Sequence, residues 1–71
     1  MNWIKYNNVR RFGYINPAHI VELCASGALA SKGKYNVIAI LGNKEEITLF
    51  EELSEEKAEE EIKKLLEIIV T

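Results

Sequence analysis

The stretch Tyr35-Asn36-Val37-Ile38-Ala39-Ile40-Leu41 decides the fold of this 71-residue chain, because it is apolar on both sides of an extended backbone. Successive side chains of a strand point to opposite faces, so the odd-numbered residues of this stretch share one face and Ile38 and Ile40 share the other. A strand with two apolar faces is typical of the centre of a sheet. We therefore predict a central strand over residues 35–41.

Shorter extended segments flank this strand on both sides. The alternation of apolar and polar residues predicts strands over Trp3–Tyr6, Val21–Ala25 and Ile47–Phe50, and Tyr14-Ile15 is a short extended segment between the first two. Asn16 and Pro17 predict one helical turn, with Asn16 as its cap. Gly42-Asn43 predicts a two-residue type II′ hairpin turn after the central strand.

The last quarter of the chain is predicted to form one amphipathic helix, which begins after Ser54 and runs to about Val70. Ser54 is a suitable N-cap, and Glu55 and Glu56 follow in the first turn, where the helix dipole favours acids. The helical spacing predicts one buried stripe, made of Ala58, Ile62, Leu65, Leu66 and Ile69. The order β-β-β-β-α predicts a single α+β domain over 1–71, an antiparallel meander of about four strands with the helix on one face.

The small size of the chain predicts self-association. About 60% of the unfolded surface is buried in a chain of this length, so one core gives marginal stability. Cys24 is the only cysteine, which excludes an internal disulfide. We expect a homo-oligomer that uses apolar residues left over by the helix stripe and by the helix-covered sheet face, namely Ile38, Ile40, Ile68 and Val70. The alternative is that Trp3 or Phe12 covers the second sheet face.

Charge is divided along the chain. Residues 1–44 carry six Lys or Arg against one Glu, a balance of +5, whereas residues 45–71 carry three Lys against ten Glu, a balance of −7. The basic half can hold an anion. The net charge of −2 argues against a duplex DNA partner, because dedicated duplex binders are usually basic overall.

The chain lacks the side chains on which most catalytic mechanisms depend. The chain contains no Asp, one His and one Cys, and no phosphate-binding glycine motif. A nucleophilic pair of Cys24 and His19 is conceivable, and the alternative is a buried strand thiol beside a surface histidine. We expect no enzymatic activity, no cofactor and no metal.

A basic and aromatic set is the best functional lead. Arginine and lysine bind phosphate, and aromatic rings offer a face on which a base can stack. The residues predicted to bind an anionic small molecule or nucleotide are Arg10, Arg11, Tyr14, Lys32, Lys34 and Tyr35. The alternative, which composition leaves open, is that the aromatic residues are core and the cations solvated. Residues 26–34 form a connection too long for a plain hairpin, and it is either a lid, a subunit contact or a tolerated insertion.

No apolar run approaches the roughly 18 residues that span a bilayer, and the start of the chain lacks the pattern of a signal peptide. A single unpaired cysteine also suits a reducing compartment. We expect a cytoplasmic protein without a membrane partner.

The segment Tyr14-Ile15-Asn16-Pro17-Ala18-His19-Ile20, followed by a Val-Glu strand and a Glu-rich final helix, resembles the small flagellar FlbD-type proteins and short uncharacterised proteins of bacteria and phages. The resemblance implies a structural role for Ile15, Asn16 and Pro17 and a protein partner. We therefore carry two hypotheses. The basic and aromatic set suggests a sponge-like binding module that captures a nucleotide signal between subunits, and the resemblance suggests a protein–protein adaptor without a small ligand.

Overall fold

The computed structural model describes residues 3–70 and contains five strands in two antiparallel sheets, followed by one helix. The elements are β1 (Ile4–Asn7), β2 (Phe12–Ile15), a 3₁₀ turn (Pro17–His19), β3 (Ile20–Gly27), β4 (Tyr35–Leu41), β5 (Glu46–Leu53) and α1 (Glu55–Val70). The first two strands pair as a hairpin, and the others form a sheet in the order β3-β4-β5. The predicted α+β class is confirmed, with the strands divided between two sheets.

The core lies between the helix, one face of the three-stranded sheet and the inner face of the hairpin. Val37 and Ala39 of β4 are 0% exposed, so the prediction of a central strand is confirmed. Helix α1 packs mainly against β4 and also contacts β3 and β5. The hairpin lies beside β5 and contributes three buried side chains, those of Ile4, Tyr6 and Ile15.

The 3₁₀ turn joins the hairpin to the larger sheet. The Asn16 side-chain oxygen accepts a hydrogen bond of 3.0 Å from the backbone N–H of Ala18, and Pro17 is buried at the first position. The predicted cap and helical turn are therefore confirmed.

Strand β3 is longer than predicted. Ser26 and Gly27 pair with Asn36 and Tyr35, so the connection covers residues 28–34 rather than 26–34. Small residues have low intrinsic strand propensity, but pairing with a neighbouring strand outweighs it. The connection is tied to the end of β5, because the Ser31 hydroxyl donates a hydrogen bond of 2.6 Å to Glu52.

The prediction of a type II′ turn between β4 and β5 was wrong. That turn needs a positive φ at Gly42, whereas the positive φ of 72° is found at Lys44. Lys44 N–H donates to Leu41 O at 2.9 Å, and Leu41 N–H donates to Glu45 O at 2.9 Å. The loop therefore has three residues, with a left-handed residue at its end.

Helix α1 begins as predicted after Ser54, whose hydroxyl accepts from the N–H of Lys57 at 3.2 Å. Ala58 and Leu65 are buried, and Ile62, Ile68 and Ile69 are half-buried against the core. Leu66 is 46% exposed, so the predicted stripe was wrong at this residue. The stripe also omitted Ile68, which packs against the core beside Ile69.

Within residues 3–70, no helix is both long enough and apolar enough to cross a membrane.

Candidate ligand-binding surface

The outer face of the hairpin exposes aromatic rings beside a lysine. Lys5 lies directly opposite Tyr14, and Asn7 lies opposite Phe12, on the side away from the core. Tyr14 is 64% exposed, Phe12 is 79% exposed, and Trp3, just before β1, is 54% exposed. We call Trp3, Lys5, Phe12 and Tyr14 the aromatic face. Aromatic side chains are usually buried, so three exposed rings on one hairpin need an explanation beyond packing.

The tip of the hairpin is held by one asparagine. The side-chain oxygen of Asn8 accepts hydrogen bonds from the N–H groups of Arg10, at 2.9 Å, and Arg11, at 3.1 Å. Its side-chain nitrogen donates to the carbonyl oxygen of Thr48 on β5. Asn8 therefore shapes the turn and fixes it to the larger sheet, so the backbone that carries both arginines is anchored at two points.

The two arginines differ in their surroundings. The Arg11 guanidinium lies 3.3 Å from a carboxylate oxygen of Glu45 and 6.0 Å from the centre of the Tyr6 ring. Arg10 is exposed, and its guanidinium has no ion pair within residues 3–70. Arg10 is thus the more accessible of the two for an anion, while Arg11 is oriented by its neighbours.

A cleft separates the hairpin tip from β5. It has a volume of about 350 Å³ and is lined by Asn8, Arg10, Arg11, Glu45, Glu46, Ile47 and Thr48. The lining brings two cations together with two carboxylates. A phosphate that enters the cleft can bind Arg10 directly and Arg11 in place of Glu45.

The other predicted ligand residues lie elsewhere. Lys32 and Lys34 are exposed in the connection before β4, whereas Arg11 contacts Glu45 just after β4 ends. Strand rise places these two ends about 20 Å apart. Tyr35 is half-buried against the core and lines a groove beside α1. Arg10, Arg11 and Tyr14 therefore share one hairpin, with Tyr14 on its outer face and the Arg11 side chain on the side of Tyr6 and Glu45. Lys32, Lys34 and Tyr35 do not belong to this hairpin.

The four residues predicted to form a subunit interface also lie on different parts of the fold. Ile38 and Ile40 are half-buried on the sheet face opposite the helix, where Ile38 lies between Cys24 and Thr48, and Ile40 between Glu22 and Glu46. Ile68 packs against the core, and Val70 is 78% exposed at the end of the helix.

Cys24 lies in a setting that favours the protonated thiol. Burial, followed by the negative charges of Glu22 and Glu46, raises the pKa of Cys24 above its ordinary value of 9.0. A nucleophilic cysteine needs the opposite shift. Across residues 3–70, no group of three or more His, Cys, Asp or Glu side chains is arranged to hold a metal ion.

Sequence reasoning left Trp3, Lys5 and Phe12 out of the ligand set, although alternation in β1 puts Trp3 and Lys5 on the face opposite the apolar Ile4 and Tyr6. That alternation was the signal that could have found the aromatic face. The role of Asn8 depends on Thr48, forty residues away, and has no local signal.

Comparison with known proteins gives no match, whether by family models, by curated sequences or by solved structures.

Proposed function

We propose that this chain is a non-catalytic binding module that captures a nucleotide at its first hairpin. The bases stack on the aromatic face, and the phosphates bind Arg10 and Arg11. The observation that carries the proposal is that one hairpin carries the exposed Tyr14, paired with Lys5 on its outer face, and two arginines at its tip.

Charge supports an anionic ligand at this place. Residues 3–15 contain Lys5, Arg10 and Arg11 and no acidic residue, and the aromatic face belongs entirely to this segment. Stacking of one base on an aromatic side chain contributes about 1–3 kcal/mol. The hairpin thus supplies both groups that a nucleotide needs, a flat apolar surface and a charge-assisted hydrogen-bond donor.

The test uses Trp3, the single tryptophan, as an intrinsic reporter. Titration with ATP and with a cyclic purine dinucleotide should quench its fluorescence, and calorimetry should give the same affinity. Arg10→Ala should weaken binding about tenfold, which corresponds to one charge-assisted hydrogen bond. Phe12→Ala and Tyr14→Ala should weaken it by a similar factor.

The control variant is Lys32→Ala/Lys34→Ala, which removes two charges far from the hairpin. It should bind as the wild type does. Equal losses in this variant and in Arg10→Ala/Arg11→Ala would show that binding follows net charge rather than a site. Absence of quenching and heat with both ligands at low ionic strength would overturn the proposal.

A second candidate is a protein adaptor, which the open sheet face around Ile38 and Ile40 favours. Two half-buried isoleucines flanked by Glu22 and Glu46 offer an apolar centre with an acidic rim, which suits a partner with a basic rim. A protein partner whose binding persists at high salt, and is lost in Ile38→Lys, would support this function. Loss of partner binding in Arg10→Ala would instead favour binding at the hairpin.

The proposal includes a cytoplasmic location, since the only cysteine is an unpaired thiol.

A further inference from the structure

We infer that two copies of this chain join through the outer edge of β3, so that their sheets become one six-stranded sheet around a two-fold axis. The inference does not rest on the nucleotide site, because the aromatic face belongs to a different hairpin.

Strand β3 is the open edge of the three-stranded sheet. It pairs only with β4 among the elements of residues 3–70, and it runs for eight residues with one charge, Glu22. Natural edge strands usually carry lysine, proline or a covering segment that prevents pairing with another chain. Over residues 20–27 none of these is present, although a bulge lies at Val21 near the start.

The phase of the ladder shows which backbone groups are available. Ala28 N–H donates to Lys34 O at 2.8 Å, so these two residues, just beyond the ends of β3 and β4, continue the ladder as a hydrogen-bonded pair. Such pairs alternate along an antiparallel ladder, so the backbone N–H and C=O groups of Ser26, Cys24 and Glu22 point toward β4. The N–H and C=O groups of Leu23 and Ala25 therefore point away from the sheet, toward a partner strand.

The sequence of β3 is complementary to itself when the two-fold axis passes through Cys24. Leu23 of one copy then lies opposite Ala25 of the other, and Glu22 lies opposite Ser26. Large residues meet small ones, and the two carboxylates do not face each other. Pairing around Leu23 would instead set two leucines against each other.

A groove beside this edge has the shape to receive the partner. It has a volume of about 330 Å³ and lies between β3 and the helix, lined by Ala25, Tyr35, Glu55, Ala58, Glu59 and Ile62. The second copy's Leu23, opposite Ala25 and on the same face, would cover its apolar part. The two helices do not collide, because the two β4 strands are about 14 Å apart and packed helices touch at about 8–10 Å.

The decisive variant is Ala25→Lys, which places a charge at an exposed position of the edge strand. Sedimentation velocity over a range of protein concentrations should show a dimer for the wild type and a monomer for Ala25→Lys. Ala30→Lys, which adds the same charge at an exposed alanine of the connection, should remain a dimer. Circular dichroism confirms that each variant is folded.

A second measurement holds even if Ala25→Lys does not fold. In the inferred register two Cys24 residues form a non-hydrogen-bonded pair with Cα atoms about 4.5 Å apart, within reach of a disulfide. Diamide should join them, being reduced to its hydrazine as two thiols become one disulfide and release their protons to it. A wild type that is monomeric at every concentration would overturn the inference. So would a dimer that diamide does not cross-link, or one that persists in folded Ala25→Lys.

Discussion

Gly13 lies directly opposite Tyr6 in the first hairpin, and a Cβ atom on Gly13 would lie 3.3 Å from the Tyr6 hydroxyl oxygen. That distance is shorter than ordinary van der Waals contact. The absence of a side chain at residue 13 therefore lets the buried tyrosine ring lie against the backbone of β2.

We expect Gly13→Ala to lower the free energy of unfolding by about 1 kcal/mol, because the Tyr6 ring must move in a packed core. In a Tyr6→Phe background the nearest ring carbons are 3.5 Å away, so the same change should be neutral or stabilising. Urea denaturation of the four proteins of this cycle measures the coupling. A cost that is the same in both backgrounds would show that the hydroxyl contact is not its cause.

Asn8→Ala should lower the free energy of unfolding by about 2 kcal/mol, since three hydrogen bonds are lost and one of them joins two elements. Nucleotide affinity should fall as well, because both arginines lose their anchored backbone. Asn43→Ala is the matched control. Its side chain accepts one local hydrogen bond, from Glu45 N–H at 2.9 Å, so a loss below about 1 kcal/mol and unchanged binding are expected. Equal effects of the two variants would contradict the role given to Asn8.

Lys44→Gly should raise the free energy of unfolding by about 0.5–1 kcal/mol. Lys44 has a φ of 72°, which strains an L-residue and which glycine adopts freely. Thermal and urea denaturation check the change. Gly42 has no positive φ, so the control Gly42→Ala should not destabilise the turn by strain. A decrease in stability of Lys44→Gly would show that the lysine side chain contributes more than the strain costs.

The pKa of Cys24 predicts the pH dependence of stability. Because burial and the two nearby glutamates raise this pKa, the folded chain retains the thiol proton above pH 9.0 while the unfolded chain releases it. The free energy of unfolding should therefore fall as the pH rises past 9.0, and Cys24→Ala should lose less over the same range. Denaturation of both proteins on either side of pH 9.0 measures this difference. A wild-type loss no larger than that of Cys24→Ala would contradict it.

Patterns that depend on near neighbours in the chain predicted most of the fold. Alternation located β4, spacing located α1, and the caps at Asn16 and Ser54 follow from local hydrogen bonds. The end of β3 and the loop at Lys44 depend on pairing across strands, which a linear pattern does not contain. Leu66 was misassigned for a related reason, because helical spacing does not show which residues at the edge of a stripe contact the sheet.

The residue types of the candidate site were predictable from the sequence, but which of these residues share one part of the fold was not. Arg10, Arg11 and Tyr14 are close in the chain and belong to the same hairpin of the fold. Lys32 and Lys34 belong to the same class of residue, but β4 separates them from the hairpin tip. Tyr35 is drawn into the core by its position at the start of the central strand.

The contact between Arg11 and Glu45 makes the carboxylate a tethered competitor for any anion that enters the cleft. An exposed ion pair contributes at most about 1 kcal/mol, which lowers the affinity for a ligand by up to about fivefold. An anion that contacts only Arg11 replaces the ion pair that Glu45 already makes with this arginine. A phosphate that also reaches Arg10 gains a second contact, which the Glu45 carboxylate does not make. If the cleft binds a nucleotide as proposed, this competition should discriminate against monovalent anions such as chloride and acetate, and Glu45→Gln should abolish the discrimination.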